Sequence, residues 1–230
     1  KKVAVVGAGP AGLSCATVAA ERGHNVTLFD QAGEIGGQFN MAKVIPGKEE
    51  FHNTIRYFSK RIETTGVNLQ LNTRVEVADL EKQGFDEIVI ATGVTPRTPG
   101  IPGVDHPKVL SYVDVLRGKA EVGEKVAVIG AGGIGFDVSE FLAEAPREGE
   151  QPLPEWMKEW GVGLDSEARG GLVKPEVEAP VRKITLLQRK TTSLGKDLGK
   201  TSGWVHRATL KSRNVEMLPG CSYEKVDDAG

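Results

Sequence analysis

Gly7, Gly9 and Gly12 stand at the G-x-G-x-x-G spacing, and each glycine answers a different steric demand of phosphate binding. Gly7 permits a tight turn from strand to helix, Gly9 lets a pyrophosphate approach the backbone, and Gly12 lets helix and strand pack closely. Pro10 and Ala11 complete the turn, which opens a helix N-terminus carrying unpaired N–H groups and partial positive charge. Asp30 follows Gly12 by 18 positions (30 − 12), near the separation at which a carboxylate accepts hydrogen bonds from an adenosine ribose. The same glycine spacing recurs 123 positions later (130 − 7), where Gly130, Ala131, Gly132, Gly133, Ile134 and Gly135 repeat it. These residues are fitted to bind two dinucleotides.

The elements that must hold the first site read directly from the pattern. Residues 3–6 form an apolar run suited to a buried parallel strand. Leu13, Ala16, Val18 and Ala19 mark a helix that stops at Gly23, and residues 25–29 form a second strand that ends at Asp30. Gly36-Gly37 then marks close backbone approach, with Gln38 as an uncharged hydrogen-bonding group beside it. After the break at Pro46-Gly47, residues 48–65 predict an amphipathic helix whose core face carries Phe51, Ile55, Phe58 and Ile62. Lys48 falls in its first turn, either solvated or with its ammonium near a pyrophosphate. Residues 67–71 read as a strand, and Val75 begins another extended stretch whose backbone can pair with an adenine edge. Residues 85–93 form a buried strand ending in Ala91-Thr92-Gly93, small residues at the carboxyl end where open α/β sheets bind ligands. Ser111 to Asp114 has the form of a capping box opening a short helix that ends near Gly118.

In the second unit a strand over 125–129 feeds the repeated glycine turn, and residues 136–145 continue as a helix. The next strand, 183–188, ends 53 positions after Gly135 (188 − 135). The excess over the usual ~20 residues makes 146–182 a polar, proline-rich surface insertion with one short helix around Trp156, expected to pack on its own domain. Gln188-Arg189-Lys190 occupies the strand end where an NAD site carries a carboxylate. A neutral residue followed by two bases favours the 2′-phosphate of NADPH through charge-assisted hydrogen bonds. Trp204, near the start of a following helix, is placed to pack on the adenosine half of that cofactor. His206 has no second ligand at metal spacing, so no metal site is expected.

The whole chain sets outer bounds. Its 230 residues, 39% hydrophobic and 26% charged, suit a soluble α/β protein of two tandem Rossmann-like dinucleotide-binding domains over 1–118 and 119–230. A net charge of −2 gives no basis for nucleic-acid or anionic-membrane binding, and no apolar run is long enough to span a membrane. Cys15 and Cys221 lie far apart with no C-x-x-C or zinc-ligand spacing, which predicts a reduced, cytoplasmic setting. The start without Met and the turn-like Asp227-Asp228-Ala229-Gly230 predict a piece of a longer protein.

Placed after the ribose-binding carboxylate, Gly36-Gly37 resembles the glycine pair that pyridine-nucleotide reductase flavoproteins set beside FAD. Longer runs carry a more specific likeness: residues 35–40, 46–51, 106–112, 132–137 and 199–207 resemble bacterial NADPH-dependent 2,4-dienoyl-CoA reductase from end to end. Trimethylamine dehydrogenase and its relatives share the architecture more loosely. The resemblance implies a C-terminal FAD and NADPH portion that passes a hydride from NADPH to FAD. It also implies an N-terminal barrel with FMN and an iron–sulfur cluster, which has no counterpart here, and a missing segment that completes the FAD domain. Carried over by residue, the FAD contacts fall on Ala11, Asp30, Gln38, Lys48 and Val75, and the NADP contacts on Arg189, Lys190 and Trp204. No catalytic side chain is required, because orientation and the cofactors supply the step. A thioredoxin-reductase-like activity needs the absent C-x-x-C. The alternative from another class is a non-catalytic nucleotide-binding module.

Overall fold

A computed structural model describes residues 1–147, 149, 151–164 and 168–230. The remaining five positions belong to the 146–182 insertion, and the reading of that segment lies to that extent outside the described residues. The chain forms two compact units, Lys1–Val44 with Lys48–Thr98, and Ile45–Gly47 with Pro99–Gly230. By this division residues 99–118 belong with the second unit.

The first unit is an α/β layer structure around a four-stranded parallel sheet in the order β3-β2-β1-β4. Its strands are β1 (Lys2–Val6), β2 (Asn25–Phe29), β3 (Asn68–Gln70) and β4 (Glu87–Ile90). β1 is central, hydrogen-bonded on both sides, and its Val3, Ala4 and Val5 are buried. Helix α1 (Pro10–Glu21) lays Leu13 and Ala16 on one face of the sheet. Two more helices follow it, α2 (Phe39–Ala42) and α3 (Phe51–Thr65), and the latter adds Ile62 and Phe58 to the same cluster. On the other face Ala4 and Phe29 meet Leu80 of α4 (Val77–Lys82).

The strand expected to be buried over 85–93 is β4, an edge strand whose Ile88 and Ile90 are exposed among the described residues, and two helices also depart from expectation. The helix expected from residue 48 starts at Phe51, because residues 48–50 form i→i+3 turns: Phe51 N–H donates to Lys48 O at 3.1 Å and His52 N–H to Glu49 O at 2.9 Å. Lys48 therefore precedes the helix. The extended stretch from Val75 ends almost at once in α4, where the Asp79 carboxylate accepts the Glu76 N–H at 3.2 Å and caps the turn.

The second unit holds a three-stranded parallel sheet, β5 (Lys125–Ile129), β6 (Lys183–Leu187) and β7 (Glu216–Leu218), in that order. Ahead of it lies α5 (Tyr112–Leu116), whose Ser111 hydroxyl accepts the Asp114 N–H at 3.1 Å as a capping residue should. Helix α6 (Gly133–Ala143) starts at the glycine turn itself and stops short of Pro146. The insertion contains α7 (Leu153–Glu159), with the Trp156 and Trp160 rings 6.1 Å apart. Helix α8 (Gly203–Ser212) completes the unit.

The insertion is held by one buried cation. Arg213, 2% exposed at the end of α8, reaches Glu159 of α7 at 2.7 Å, Glu144 after α6 at 3.3 Å, and the Glu178 carbonyl at 3.0 Å. Burial pushes the Glu144 carboxyl above its ordinary range; Arg213 pulls it down and Glu159 pushes it up.

Candidate functional site

In the first unit the glycine turn joins the carboxyl end of β1 to α1. Gly7 has φ +110°, which L side chains rarely adopt, and a Cβ there would lie 2.7 Å from the Ala91 carbonyl carbon. A Cβ on Gly12 would overlap the Gly7 carbonyl oxygen and sit 3.0 Å from its carbon. Gly9 is different in kind: its nearest neighbour would be Gly37 Cα at 4.0 Å. Two of the three glycines thus serve packing, and the middle one leaves a surface for a ligand. Pro10 opens α1 with no N–H to satisfy, and Leu13 N–H makes the first helical bond, to Gly9 O at 2.9 Å. The Ala11 and Gly12 N–H groups are left at the helix start, with Ala11 exposed.

Asp30 closes over this turn. Its Oδ2 accepts the Ala8 N–H at 2.6 Å and its Oδ1 accepts the Ala32 N–H at 2.8 Å. Two backbone donors fix the carboxylate beside the glycines and leave its remaining lone pairs for a ribose. Asp30→Ala is expected to orphan the part-buried Ala8 N–H, at about 1–3 kcal/mol, while the exposed Ala32 N–H turns to water, and to weaken binding of the FAD expected at this turn at least ~tenfold. Flavin fluorescence titration with a parallel thermal melt checks both.

The second glycine pair is tied to the first. Gly36 N–H donates to Ala8 O at 2.8 Å, and Gly37, at φ +51°, leaves only 2.9 Å between a would-be Cβ and Gly9 Cα. Asn40, 4% exposed, holds this loop by donating to Ile35 O at 2.8 Å and accepting from Lys43 Nζ at 2.9 Å. Gln38 Nε2 reaches the Val94 carbonyl at 3.4 Å, drawing the Ala91-Thr92-Gly93 turn to the same end of the sheet. Ile90 and Val94 nearby are 67% and 78% exposed, an apolar edge beside polar backbone. Gly7, Gly9, Pro10, Ala11, Gly12, Asp30, Gly37, Gln38, Ala91, Thr92 and Gly93 therefore gather at the carboxyl ends of β1, β2 and β4. Among the described residues Val75's backbone groups have no backbone partner, and its side chain leans on the small cluster of Ala4, Phe29 and Leu80. Lys48, half-buried in its turn, belongs to the first unit.

The second unit repeats the turn with one difference. A Cβ on Gly135 would overlap Gly130 O, as at Gly12, but Gly130, Gly132 and Gly133 have nothing within 4 Å of one. The cause is topological: β1 has β4 on its far side, whereas β5 pairs only with β6 among the described residues. Phe136 N–H bonds Gly132 O at 3.1 Å, which leaves the Gly133, Ile134 and Gly135 N–H groups at the start of α6, beside a half-exposed Ile134. Gly130 N–H donates to Leu187 O at 3.0 Å, so Gln188 and the exposed Arg189 and Lys190 leave the sheet next to the glycine turn. Trp204, 59% exposed, stands on the first turn of α8, and His206 Nδ1 lies 3.6 Å from Glu140 of α6.

Some site residues escape the sequence. Asn40 and Asp197 act through loop geometry that no spacing rule reports, and Asp197 Oδ2 takes Lys190 Nζ at 3.1 Å. Gln188, the neutral residue at the end of β6, spends its amide on its own loop. Among the described residues no group of three or more His, Cys, Asp or Glu can hold a metal ion, and no helix is long and apolar enough to cross a membrane.

Comparison with known proteins agrees with this geometry. Residues 1–230 match the family described as pyridine nucleotide-disulphide oxidoreductase. A metal reductase of Desulforamulus reducens is 32% identical over 221 residues, covering 94% of this chain and 32% of that protein. A cinnamate reductase of Clostridium sporogenes is 38% identical over 148 residues, covering 64% of this chain and 22% of its own. The solved 2-naphthoyl-CoA reductase complex superposes with a TM-score of 0.78 at 29% identity, over 100% of this chain and 29% of that one. The chain thus spans about a third or less of each of these three proteins.

Proposed function

Because the chain belongs to the pyridine nucleotide-disulphide oxidoreductase family, whose members bind FAD and NAD(P)H, we propose that it is the electron-entry module of an NADPH-dependent flavoprotein reductase. The first unit holds FAD and the second NADPH. FAD, when bound, supplies the two-electron acceptor for the hydride that a reduced nicotinamide donates. The residues would bind and orient it: the Ala11 and Gly12 N–H groups would hold the pyrophosphate, Asp30 the ribose, and Gln38 with the Ala91–Gly93 turn the flavin end.

The single observation that carries the flavin assignment is the joined cradle of Gly9, Gly37 and Asp30, in which Gly9 offers an open backbone face beside a carboxylate fixed by the Ala8 N–H. Arg189 and Lys190 at the end of β6 support NADPH in the second unit. Relatives named for cinnamate and 2-naphthoyl-CoA reduction support a conjugated acyl group, of the dienoyl-CoA kind, as the final electron acceptor. That reduction would take place in a further part of the polypeptide, a barrel with FMN and an iron–sulfur cluster.

Arg189→Gln tests the dinucleotide assignment. A lost charge-assisted bond to phosphate is worth about 1.5–3 kcal/mol, so the NADPH dissociation constant is expected to rise by ~tenfold or more while that for NADH stays within about twofold. Wild-type protein that binds NADH as tightly as NADPH, with no effect of Arg189→Gln on either, would overturn it.

A further inference from the structure

The loop after β6 is built by one side chain. Gln188 Nε2 donates to Lys190 O at 3.0 Å and to Thr192 O at 2.8 Å, folding residues 188–192 back on themselves. Both acceptors are carbonyl oxygens, so only the NH2 end of the amide can face them. The turn is also clamped from the strand side, where Gly220 N–H donates to Lys190 O at 2.9 Å and Cys221 N–H to Gln188 O at 2.9 Å. Further along, Gly195 packs against the buried Phe136 ring, and Arg207 Nη1 donates to Gly195 O at 2.9 Å. The loop has a defined shape before any ligand arrives.

On that frame the two bases differ. Arg189 has no salt-bridge partner among the described residues, whereas Lys190 Nζ pairs with Asp197 Oδ2 at 3.1 Å, with the two side chains 70% and 79% exposed. Asp197 is the only acid between residues 188 and 200, against Arg189, Lys190, Lys196 and Lys200. A 2′-phosphate that engages Lys190 competes with this carboxylate for the ammonium and approaches a like charge, while the 2′-hydroxyl of NADH need do neither.

We propose that Asp197 is a specificity-determining residue that acts through Lys190 to mute the preference for a 2′-phosphate, and that Gln188 is a positioning residue that shapes the loop carrying both bases. The inference rests on reading the second unit as the nicotinamide dinucleotide site. It also separates this loop from the simple rule that a carboxylate at position 188 confers NADH use. Glutamate there would turn two oxygens toward the Lys190 and Thr192 carbonyls, with no donor to hold them.

Calorimetric titration of the intact protein with 2′,5′-ADP and with 5′-AMP tests this, because the two probes differ only in the 2′-phosphate. D197N is expected to tighten 2′,5′-ADP by roughly twofold to fivefold, the range an exposed ion pair supports, and to leave 5′-AMP unchanged. The gain should vanish when D197N is combined with K190Q. Gln188→Glu should weaken 2′,5′-ADP without strengthening 5′-AMP. An unchanged probe ratio in D197N overturns the role of Asp197, and an equal gain in the K190Q background overturns its action through Lys190. Tighter 5′-AMP binding in Gln188→Glu overturns the positioning role. Wild-type protein that binds neither probe would overturn the site reading itself and this inference with it; binding that D197N leaves unaltered overturns the inference alone.

Discussion

Gly12→Ala is expected to unfold or severely loosen the first unit, whereas Gly9→Ala, three residues earlier, should leave folding nearly intact and remove the flavin. The contrast follows from what each new methyl group meets. At Gly12 it overlaps the Gly7 carbonyl oxygen, a backbone atom that cannot rotate aside, so α1 must move off β1. Overpacking usually costs about 1–3 kcal/mol, and a clash against fixed backbone belongs at or above the top of that range. At Gly9 the nearest atom is 4.0 Å away and φ is −75°, so the fold accepts alanine. The methyl group instead occupies the face offered to the pyrophosphate, and FAD affinity should fall by ~tenfold or more. Melting curves with and without FAD separate the two outcomes: a Gly9→Ala protein with wild-type flavin binding would show that this turn does not hold the cofactor.

Arg213→Met is the second large effect, and it acts far from either glycine turn. The substitution keeps most of the volume but leaves the Glu144 and Glu159 carboxylates, 16% and 14% exposed, without their shared guanidinium. Breaking a buried ion pair from one side costs about 3–5 kcal/mol, because the remaining charge is still desolvated. The pH dependence has a definite sign. Burial already holds the Glu144 carboxyl above its unfolded value, against the pull of Arg213. Such a group favours the fold below its unfolded pKa and loses that contribution as pH rises through the folded one. Without Arg213 the folded value rises further, so the variant's deficit should be largest at neutral pH and shrink as pH falls toward the ordinary glutamate range. Urea denaturation at two pH values measures this; a deficit that grows on acidification would contradict the account. Glu144→Gln added to Arg213→Met should recover part of the loss at neutral pH.

The parts of this molecule that were legible in its sequence are those where periodicity and backbone need coincide. Residues 3–6 read as a strand because a parallel strand covered on both faces must be continuously apolar, and β1 is buried in that way; β2 buries Val26 to Phe29 although Thr27 interrupts its apolar run. The first glycine turn and Asp30 were legible because spacing alone brings them together across one βαβ unit. Helix α4 was not: it has six residues, Val77 at its start is 71% exposed, and its cap is an Asp79 carboxylate rather than a leading serine or threonine. Arg213 reads in sequence as an ordinary base at a helix end, and only the returning insertion turns it into a buried cation. The Lys190–Asp197 pair depends on a loop whose shape comes from the Gln188 back-bonds and Gly195 against Phe136, neither of which has a period.

The proposal that the first unit binds FAD and receives electrons from a nicotinamide held by the second is open to a spectroscopic test. Anaerobic stopped-flow mixing of the FAD-loaded protein with NADPH, and with NADPH deuterated at the transferred C4 position, tests it most directly. The visible flavin absorbance is expected to be lost, more slowly with the deuterated cofactor and more slowly again in Arg189→Gln. Flavin that stays oxidised under saturating NADPH and NADH would contradict the proposal and leave a nucleotide-binding module without redox function.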